Sequence, residues 1–365
     1  MATTQFHPVV QELIDMIAQN GWQSKFEEAL KKAQSYNVIG FEDVKTLDDY
    51  FKWIDDQLKW VPVENLYGKV VFQHVCKFYF ILDQSPVKEL QNPVTPHDKM
   101  QPLTPLSAWM RKFMNALGEW MDDPASITEE SESTFFKCPP YNMNEYLRPR
   151  GGWKSFNQLF GRYTKPGYRP IAAIGDSRII TAPADATFDG QWEVNSNTGV
   201  DIKGLHWRIE ELLEGSPYAH EFEGGQWTHS FLNTTDYHRQ HMPVAGTILE
   251  ARVIQGTVYL QVTAEPIPGD PDGKTQLVGK REAQPRRIAA RAVHRHVLPS
   301  SRRVAAKGES IHFAKLPLKV RRRNPQCFRR LSIGHHHGIA AAAQQRQRIH
   351  RERRDLLIDQ HLIRP

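Results

Sequence analysis

Cysteine is scarce in this sequence. Its 365 residues include only Cys76, Cys138 and Cys327, which lie far apart and in no spacing typical of metal ligands. Small secreted domains that depend on disulfides carry many more cysteines. The sequence therefore predicts a chain without a disulfide framework, made in a reducing compartment.

Long apolar runs are also missing. No window approaches about 18 uncharged apolar residues, the length that a membrane-spanning helix needs. The most apolar segment, residues 70–82, is interrupted by Gln73, His74 and Lys77, which favours a buried helix. The first residues resemble neither a secretory signal nor a transit peptide, since they lack a basic stretch. We therefore expect a cytoplasmic protein without a transmembrane segment.

Tryptophan and tyrosine are absent from residues 281–365, although the chain has nine Trp and eleven Tyr. The same segment carries 18 Arg and 3 Lys against 5 acidic residues, and half of the sixteen histidines. Its net charge is +16, which leaves −10 for the first 280 residues. This break in composition predicts a basic tail that is irregular or disordered.

Three explanations of this tail stay open. Clustered arginines would suit nucleic-acid phosphates, but the tail has no Trp or Tyr on which bases could stack and no recognisable RNA- or DNA-binding motif, so we expect no nucleic-acid partner. The second explanation is a genuine disordered tail. The third is translation in a wrong frame or through a retained intron, which the abrupt onset of the Arg, Ala, His and Gln enrichment favours.

The first 140 residues predict helices. Thr46 with Asp49, and Ser24 with Glu27, have the spacing of capping boxes. Between residues 105 and 122, large apolar residues recur at helical spacing, which is typical of a core-facing stripe. The stripe consists of Trp109, Met110, Phe113, Met114, Leu117, Trp120 and Met121.

The following residues predict a different architecture. Short β-rich runs separated by glycine and proline indicate a mainly antiparallel sheet, with one helix over residues 206–215. The predicted fold class is therefore α+β. Residues 1–140 form a helical N-terminal domain, residues 141–280 a β-rich domain, and residues 281–365 the tail.

The candidate chemistry lies in the stretch FLNTTDYHRQHMPVAGTI, residues 231–248, where His238 and His241 are three residues apart. Upstream, Asp185 lies in a Pro-Ala-Asp turn. Taken singly, the aspartate could be an ordinary turn residue, and either histidine could be buried against backbone groups. The spacing also allows an Asp–His pair between strands, in which the carboxylate orients the imidazole as a general base for a hydroxyl elsewhere.

Two other chemistries are disfavoured. A metal site would need a third ligand at a recognised spacing, and none is present, so we expect no metal. A serine hydrolase of the nucleophile-elbow type would need a Gly-x-Ser-x-Gly motif, which is absent.

Three stretches together carry a family resemblance. FNQLFGRYTKPGYRPI, SRIITAPADATFDG and the Asp-Tyr-His-Arg-x-His-x-Pro motif resemble the phosphatidylserine decarboxylase family. The resemblance extends from about residue 10 to residue 280. The helical N-terminal part is similar to the extension of the fungal branch, which includes soluble decarboxylases of aromatic amino acids such as tryptophan.

The resemblance implies a proenzyme. In this family a serine near the C-terminus, in a Gly-Gly-Ser or Gly-Ser-Thr motif, attacks its own preceding peptide bond. The chain splits into β and α subunits, and the serine becomes a covalent pyruvoyl group. This built-in cofactor is the electron sink when carbon dioxide leaves the substrate. The substrate would be phosphatidylserine or a free aromatic amino acid, and family analogy allows association with the mitochondrial membrane.

The resemblance also assigns roles to the three candidate residues. Asp185 would orient His241, and His241 would deprotonate the serine hydroxyl during self-cleavage. His238 would position the substrate or handle protons during decarboxylation.

The tail departs from the family pattern. None of its serines lies in a Gly-Gly-Ser or Gly-Ser-Thr motif, so no pyruvoyl-forming serine is identified; they are Ser300, Ser301, Ser310 and Ser332. We therefore expect a chain that is unable to mature as written. The alternative is a catalytically inactive, decarboxylase-like binding or scaffold protein with a basic tail.

Overall fold

The computed structural model describes most of the chain up to residue 279 and one short segment beyond it. The described residues are 5–93, 102–170, 181–194, 199–202, 205–208, 216–217, 222, 225–241, 258, 260–279 and 310–312.

Seven α-helices lie within the described residues. They are α1 Pro8–Gln19, α2 Gln23–Gln34, α3 Leu47–Gln57, α4 Val70–Leu82, α5 Pro105–Asp122, α6 Glu129–Lys137 and α7 Phe156–Phe160. Short 3₁₀ turns connect some of them, at Lys88–Leu90, Pro124–Ser126, Pro139–Tyr141 and Met143–Glu145.

Local sequence signals explain where two of these helices begin. The Thr46 side chain accepts from the Asp49 amide while the Asp49 carboxylate accepts from the Thr46 amide, so the predicted capping box of α3 is confirmed. The predicted box at Ser24 is wrong. Gly21 adopts a φ of 63°, and α2 begins directly at Gln23, which leaves Ser24 already inside the helix.

The predicted apolar stripe lies on α5. Its residues are buried, except for Leu117 and Trp120, which are partly buried. The buried helix predicted for residues 70–82 is confirmed as α4. Among the described residues, no helix is both long and apolar enough to span a membrane.

The described strands are short and pair antiparallel. They are β1 Tyr146–Leu147, β2 Tyr163–Thr164, β3 Thr187–Glu193, β4 Gly199–Ile202, β5 Leu205–Arg208, β6 Gln226–Phe231, β7 Val262–Pro266, β8 Thr275–Gly279 and β9 Ser310–His312. The pairs are β1–β2, β4–β5 and β7–β8, with a three-stranded sheet in the order β3–β6–β9. Helices with antiparallel strands confirm the predicted α+β class.

Two predictions need correction. Residues 205–208 form strand β5 where the sequence predicts the start of a helix, and residues 209–215 lie outside the described residues. Antiparallel pairing with β4 outweighed the short helical pattern. Within the tail predicted to be irregular, Ser310–His312 form β9 and pair with β6. The remainder of the tail lies outside the described residues.

Two hydrophobic clusters hold the described part of the chain together. The first contains the inner faces of α1 to α5 together with Val258, Leu260, Val262 and Leu277. The second joins the end of α5 to α6, α7 and the segment that contains Tyr237. Both clusters therefore include residues from either side of position 140, and the domain boundary there remains a prediction.

Hydrogen bonds to its backbone hold the β7–β8 hairpin against the helices. The Gln73 amide group of α4 donates to the Leu277 carbonyl over 2.7 Å and accepts from the Leu277 amide over 3.1 Å. Thr275 exchanges backbone hydrogen bonds with Asn37 and Ile39. The Asp83 carboxylate, just after α4, accepts from the Val262 amide over 2.7 Å. A hairpin late in the sequence thus completes the core of the helical part.

Candidate active site

The sheet brings the two predicted motifs together. In the β3–β6 pair, Thr187 lies opposite Phe231, with a bulge at Phe188–Gly190. Asp185 lies two residues before the start of β3, and the motif segment leaves the end of β6. Antiparallel pairing therefore places the Pro-Ala-Asp turn beside the Asp-Tyr-His-Arg segment.

The motif segment begins with a tight turn. The Asn233 amide donates to the Asp236 carboxylate over 2.6 Å, and the Asp236 amide donates back to the Asn233 carbonyl over 3.1 Å. An aspartate that bonds to the backbone in this way stabilises a turn. The turn directs Tyr237, His238 and Arg239 into the protein, where all three are buried.

His238 packs against α7. Its ring stacks on Phe160 with 4.0 Å between the ring centres, and its Nε2 lies 2.7 Å from the Asn233 carbonyl oxygen. Because a carbonyl only accepts, Nε2 carries the proton. Burial, with a further contribution from the charge of Arg162, lowers the pKa of His238 to about 3. The imidazole is therefore neutral at physiological pH.

Arg162 is a buried cation directly behind this turn. Its Nη2 donates to the carbonyls of Thr235 and Asp236 over 3.0 and 3.2 Å. The guanidinium lies over the rings of Tyr146 and Tyr141, at 4.1 and 5.3 Å from their centres. Within the part of the chain that the structure describes, no carboxylate pairs with it. Aromatic faces and carbonyl dipoles compensate its charge instead.

Arg239 anchors the other end of the motif. Its Nε donates to the Gly161 carbonyl, and its guanidinium lies 3.5 Å from the centre of the Tyr163 ring. Phe160, Gly161, Arg162 and Tyr163 thus hold the motif segment from one side. This explains why the aromatic stretch from residue 155 accompanies the motif in the sequence.

Asp185 is held by an arginine. The Nε and Nη2 of Arg169 lie 3.0 and 2.7 Å from Asp185 Oδ2, and its Nη1 lies 2.7 Å from Glu145 Oε2. Partial burial alone would lower the pKa of Arg169, but the hydrogen bonds and charges of both carboxylates raise it above its ordinary value. The three side chains form one charged cluster in which the arginine stays protonated.

His241 lies next to this cluster. Its amide donates to the Pro183 carbonyl over 2.7 Å, two residues before Asp185. Its Nε2 lies 3.1 Å from the Tyr237 hydroxyl, and the two rings stack with 5.4 Å between their centres. The Arg169 guanidinium lies 6.0 Å from the centre of the same tyrosine ring. Arg169 and Tyr237 therefore link Asp185 to His241.

The structure thus places Asp185 and His241 close together, linked through Arg169 and Tyr237, and places His238 against α7. Sequence reasoning did not assign Arg162, Arg169, Glu145 or Tyr237 to the site. The aromatic composition around Arg162 and the Lys-Pro-Gly turn before Arg169 were visible, but their pairing with residues about 70 positions away was not. Among the described residues, no group of three or more His, Cys, Asp or Glu side chains could hold a metal ion.

Of the four tail serines, only Ser310 is described, in β9 opposite Phe231 of β6. Ser300, Ser301 and Ser332 lie outside the described residues. Within the described ranges, the structure therefore identifies no serine of the tail at the histidines.

Comparison with known proteins shows what the segment that forms this site is similar to. Residues 156–268 match the model of the phosphatidylserine decarboxylase family. This range contains α7, both arginines, Asp185 and the two histidines.

Curated relatives agree with that match. The chain is 38% identical over 154 residues to phosphatidylserine decarboxylase proenzyme 3 of Schizosaccharomyces pombe. This match covers 41% of this chain and 16% of the relative. It is 32% identical over 136 residues to the phosphatidylserine decarboxylase proenzyme of Myxococcus xanthus, covering 37% of this chain and 48% of the relative. It is 36% identical over 148 residues to the phosphatidylserine decarboxylase proenzyme of Vibrio vulnificus, and the match covers 39% of this chain and 51% of the relative.

These matches show that the segment is similar to phosphatidylserine decarboxylases over the residues that form the site. The chain spans about half of the length of the bacterial relatives it matches and less of the yeast one.

Proposed function

We propose that this chain is a carboxy-lyase of the phosphatidylserine decarboxylase type, which acts through a pyruvoyl group made from one of its own serines. The observation that carries the proposal is the cluster of Asp185, Arg169, Tyr237 and His241 inside the segment that matches the family. The matched relatives are named as proenzymes, which supports self-cleavage into two subunits.

The residues present suit self-processing. A serine hydroxyl needs a fixed imidazole to take its proton, and a carboxylate nearby to stabilise the imidazolium that forms. We assign the first role to His241 and the second to Asp185. Arg169 fixes the Asp185 carboxylate and the Pro183 carbonyl fixes the His241 backbone, so both groups are oriented before any serine arrives.

His238 has a different role in this proposal. A buried imidazole whose pKa is about 3 does not carry a positive charge near neutral pH. It contributes as a neutral, oriented ring that shapes the site and positions the substrate. The pyruvoyl group, once formed, supplies the electrophilic ketone that accepts electrons as carbon dioxide leaves.

Phosphatidylserine is the first substrate that we propose, because the matched relatives are named for it. A free aromatic amino acid such as tryptophan is the second, on the resemblance of the helical N-terminal part to the soluble fungal decarboxylases. Release of labelled carbon dioxide from each compound, measured side by side, distinguishes the two.

A non-catalytic binding or scaffold protein is the second candidate function. The observation that favours it is the tail, where no serine lies in a Gly-Gly-Ser or Gly-Ser-Thr motif. Denaturing gel electrophoresis of the purified protein separates the two functions. Two fragments, the smaller with a blocked N-terminus, support the enzyme, whereas one intact band at about 42.1 kDa supports the non-catalytic protein.

A further inference from the structure

The family resemblance assigns no role to Tyr237, although this residue lies in the motif directly before His238. Its side chain is only 1% exposed, and its hydroxyl oxygen lies 3.1 Å from Nε2 of His241. The two rings also stack at an angle of 25°. A buried phenol therefore holds one specific nitrogen of the imidazole that is proposed as the base.

The chemistry of the two groups sets the direction of this hydrogen bond. A phenol hydroxyl has a pKa of about 10 and is much more acidic than the N–H of a neutral imidazole. The unprotonated imidazole nitrogen is in turn a better acceptor than a phenol oxygen. The O–H···N arrangement is therefore favoured over N–H···O.

We propose that Tyr237 is a positioning residue, which donates to Nε2 of His241 and thereby keeps the proton of the neutral ring on Nδ1. An orienting carboxylate needs an Nδ1–H group as its donor. The His241 amide already donates to the carbonyl of Pro183, which lies two residues before Asp185. A serine hydroxyl that is to lose its proton then takes the place of the Tyr237 hydroxyl at Nε2. This inference deepens the proposed function, on which its catalytic meaning rests.

Nitrogen NMR of the full chain labelled with ¹⁵N-histidine tests the proposal. The protonated and unprotonated ring nitrogens of a neutral histidine have well separated shifts, and the signals of His241 are those missing from His241→Gln. We expect wild-type His241 to be mainly the Nδ1–H tautomer at a pH where it is neutral. Tyr237→Phe should shift it to mainly Nε2–H, the tautomer that free imidazole prefers.

Tyr146→Phe is the matched control. It removes the hydroxyl of a second buried tyrosine, whose ring centre lies 5.9 Å from that of Tyr237. In this variant His241 should remain Nδ1–H. An equal shift in Tyr146→Phe would mean that any loss of a neighbouring phenol disturbs the ring, and the specific role of Tyr237 would be overturned.

Two further outcomes contradict the proposal. The first is a wild-type His241 that carries its proton on Nε2, a result that decides the question even if Tyr237→Phe fails to fold. The second is a folded Tyr237→Phe protein with the wild-type His241 signals. Neither readout involves carbon dioxide release, so failure of the decarboxylation assay and failure of this inference are distinguishable.

Discussion

The backbone amide of His241 donates to the carbonyl oxygen of Pro183 over 2.7 Å. This bond joins two segments more than 50 residues apart in the sequence, and both carry a residue of the candidate site. Because it involves only backbone atoms, it holds the segments together whatever the protonation of the side chains. The carboxylate and the imidazole can then be varied separately by mutation.

Arg169→Gln tests the charged cluster. The change removes the cation that lies between Asp185 and Glu145 and leaves two partly buried carboxylates facing each other. We expect a loss of about 2–4 kcal/mol in the free energy of unfolding, measured with urea. Arg150→Gln, at an exposed position, should change it by less than about 0.5 kcal/mol.

A second substitution sharpens this test. Asp185→Asn in the Arg169→Gln background removes one of the unpaired carboxylates, so part of the lost stability should return. If the double variant is less stable than Arg169→Gln by the full cost of Asp185→Asn alone, the two residues do not interact.

Glu64 provides a test of the fold. Its carboxylate is 7% exposed and accepts from the amides of Val70 and Asn65, so it caps α4 from outside the helix. The Tyr141 hydroxyl also donates to it over 3.3 Å. Glu64→Ala should lower the free energy of unfolding by about 2–3 kcal/mol, because buried amides lose a charged acceptor.

The control for this change is Glu28→Ala on α2. Glu28 is exposed, and the same substitution there should have an effect of less than about 0.5 kcal/mol. Equal effects at the two positions would show that Glu64 is not a cap.

Gln73 tests the docking of the β7–β8 hairpin. Gln73→Glu keeps an acceptor for the Leu277 amide but loses the donor to the Leu277 carbonyl. We expect the unfolding free energy to fall by about 1–3 kcal/mol. Hydrogen exchange at the Leu277 amide should become faster. Gln19→Glu, at an exposed position of α1, should leave that rate unchanged. An unchanged rate in Gln73→Glu would mean that the hairpin is held by its apolar contacts alone.

The same interface predicts a dependence on pH. Burial raises the pKa of Asp83 to about 8, against the lowering effects of the Val262 amide and Lys88. For an acid whose pKa is raised on folding, the stabilisation of the protonated form is full below its unfolded pKa of about 4 and is lost as pH rises through 8. The protein should therefore lose on the order of 2 kcal/mol from this group between pH 6 and pH 9.

Asp83→Asn isolates that contribution. Asparagine can still accept from the Val262 amide but does not titrate, so the variant should lose less stability than wild type between the two pH values. Asp56→Asn, at an exposed position on α3, should lose as much as wild type. An Asp83→Asn protein with the wild-type pH dependence would contradict the raised pKa.

The helical part was largely predictable from the sequence because its signals are local. The apolar stripe of α5 and the capping box of α3 each depend on residues within a few turns of one another. The Ser24 box failed because Gly21 let the chain turn directly into α2. The short run around Trp207 was misassigned, since a few residues fit either a helix or a strand until a partner such as β4 is known.

The site was predictable only in part. Asp185, His238 and His241 could be proposed from the sequence because their motifs are specific, and their roles stay predictions. Arg169 and Tyr237 could not be assigned, because the sequence pattern does not show that Arg169 pairs with Asp185 and Glu145 or that Tyr237 faces His241. Nothing in the sequence indicated that Arg162 would be buried with no carboxylate partner among the described residues, since arginine is usually exposed or paired.

The most direct test of the proposed function supplies a C-terminal part from a relative that is named as a proenzyme. Residues after 279 are replaced by the corresponding C-terminal part of the Myxococcus xanthus relative, and carbon dioxide release from carboxyl-labelled phosphatidylserine is measured together with self-cleavage on a gel. We predict two fragments and carbon dioxide release, both lost in Asp185→Ala and His241→Ala and retained in the exposed-site variant Glu28→Ala. Self-cleavage that persists in Asp185→Ala and His241→Ala, or a folded protein that neither cleaves nor releases carbon dioxide, would contradict the proposed function.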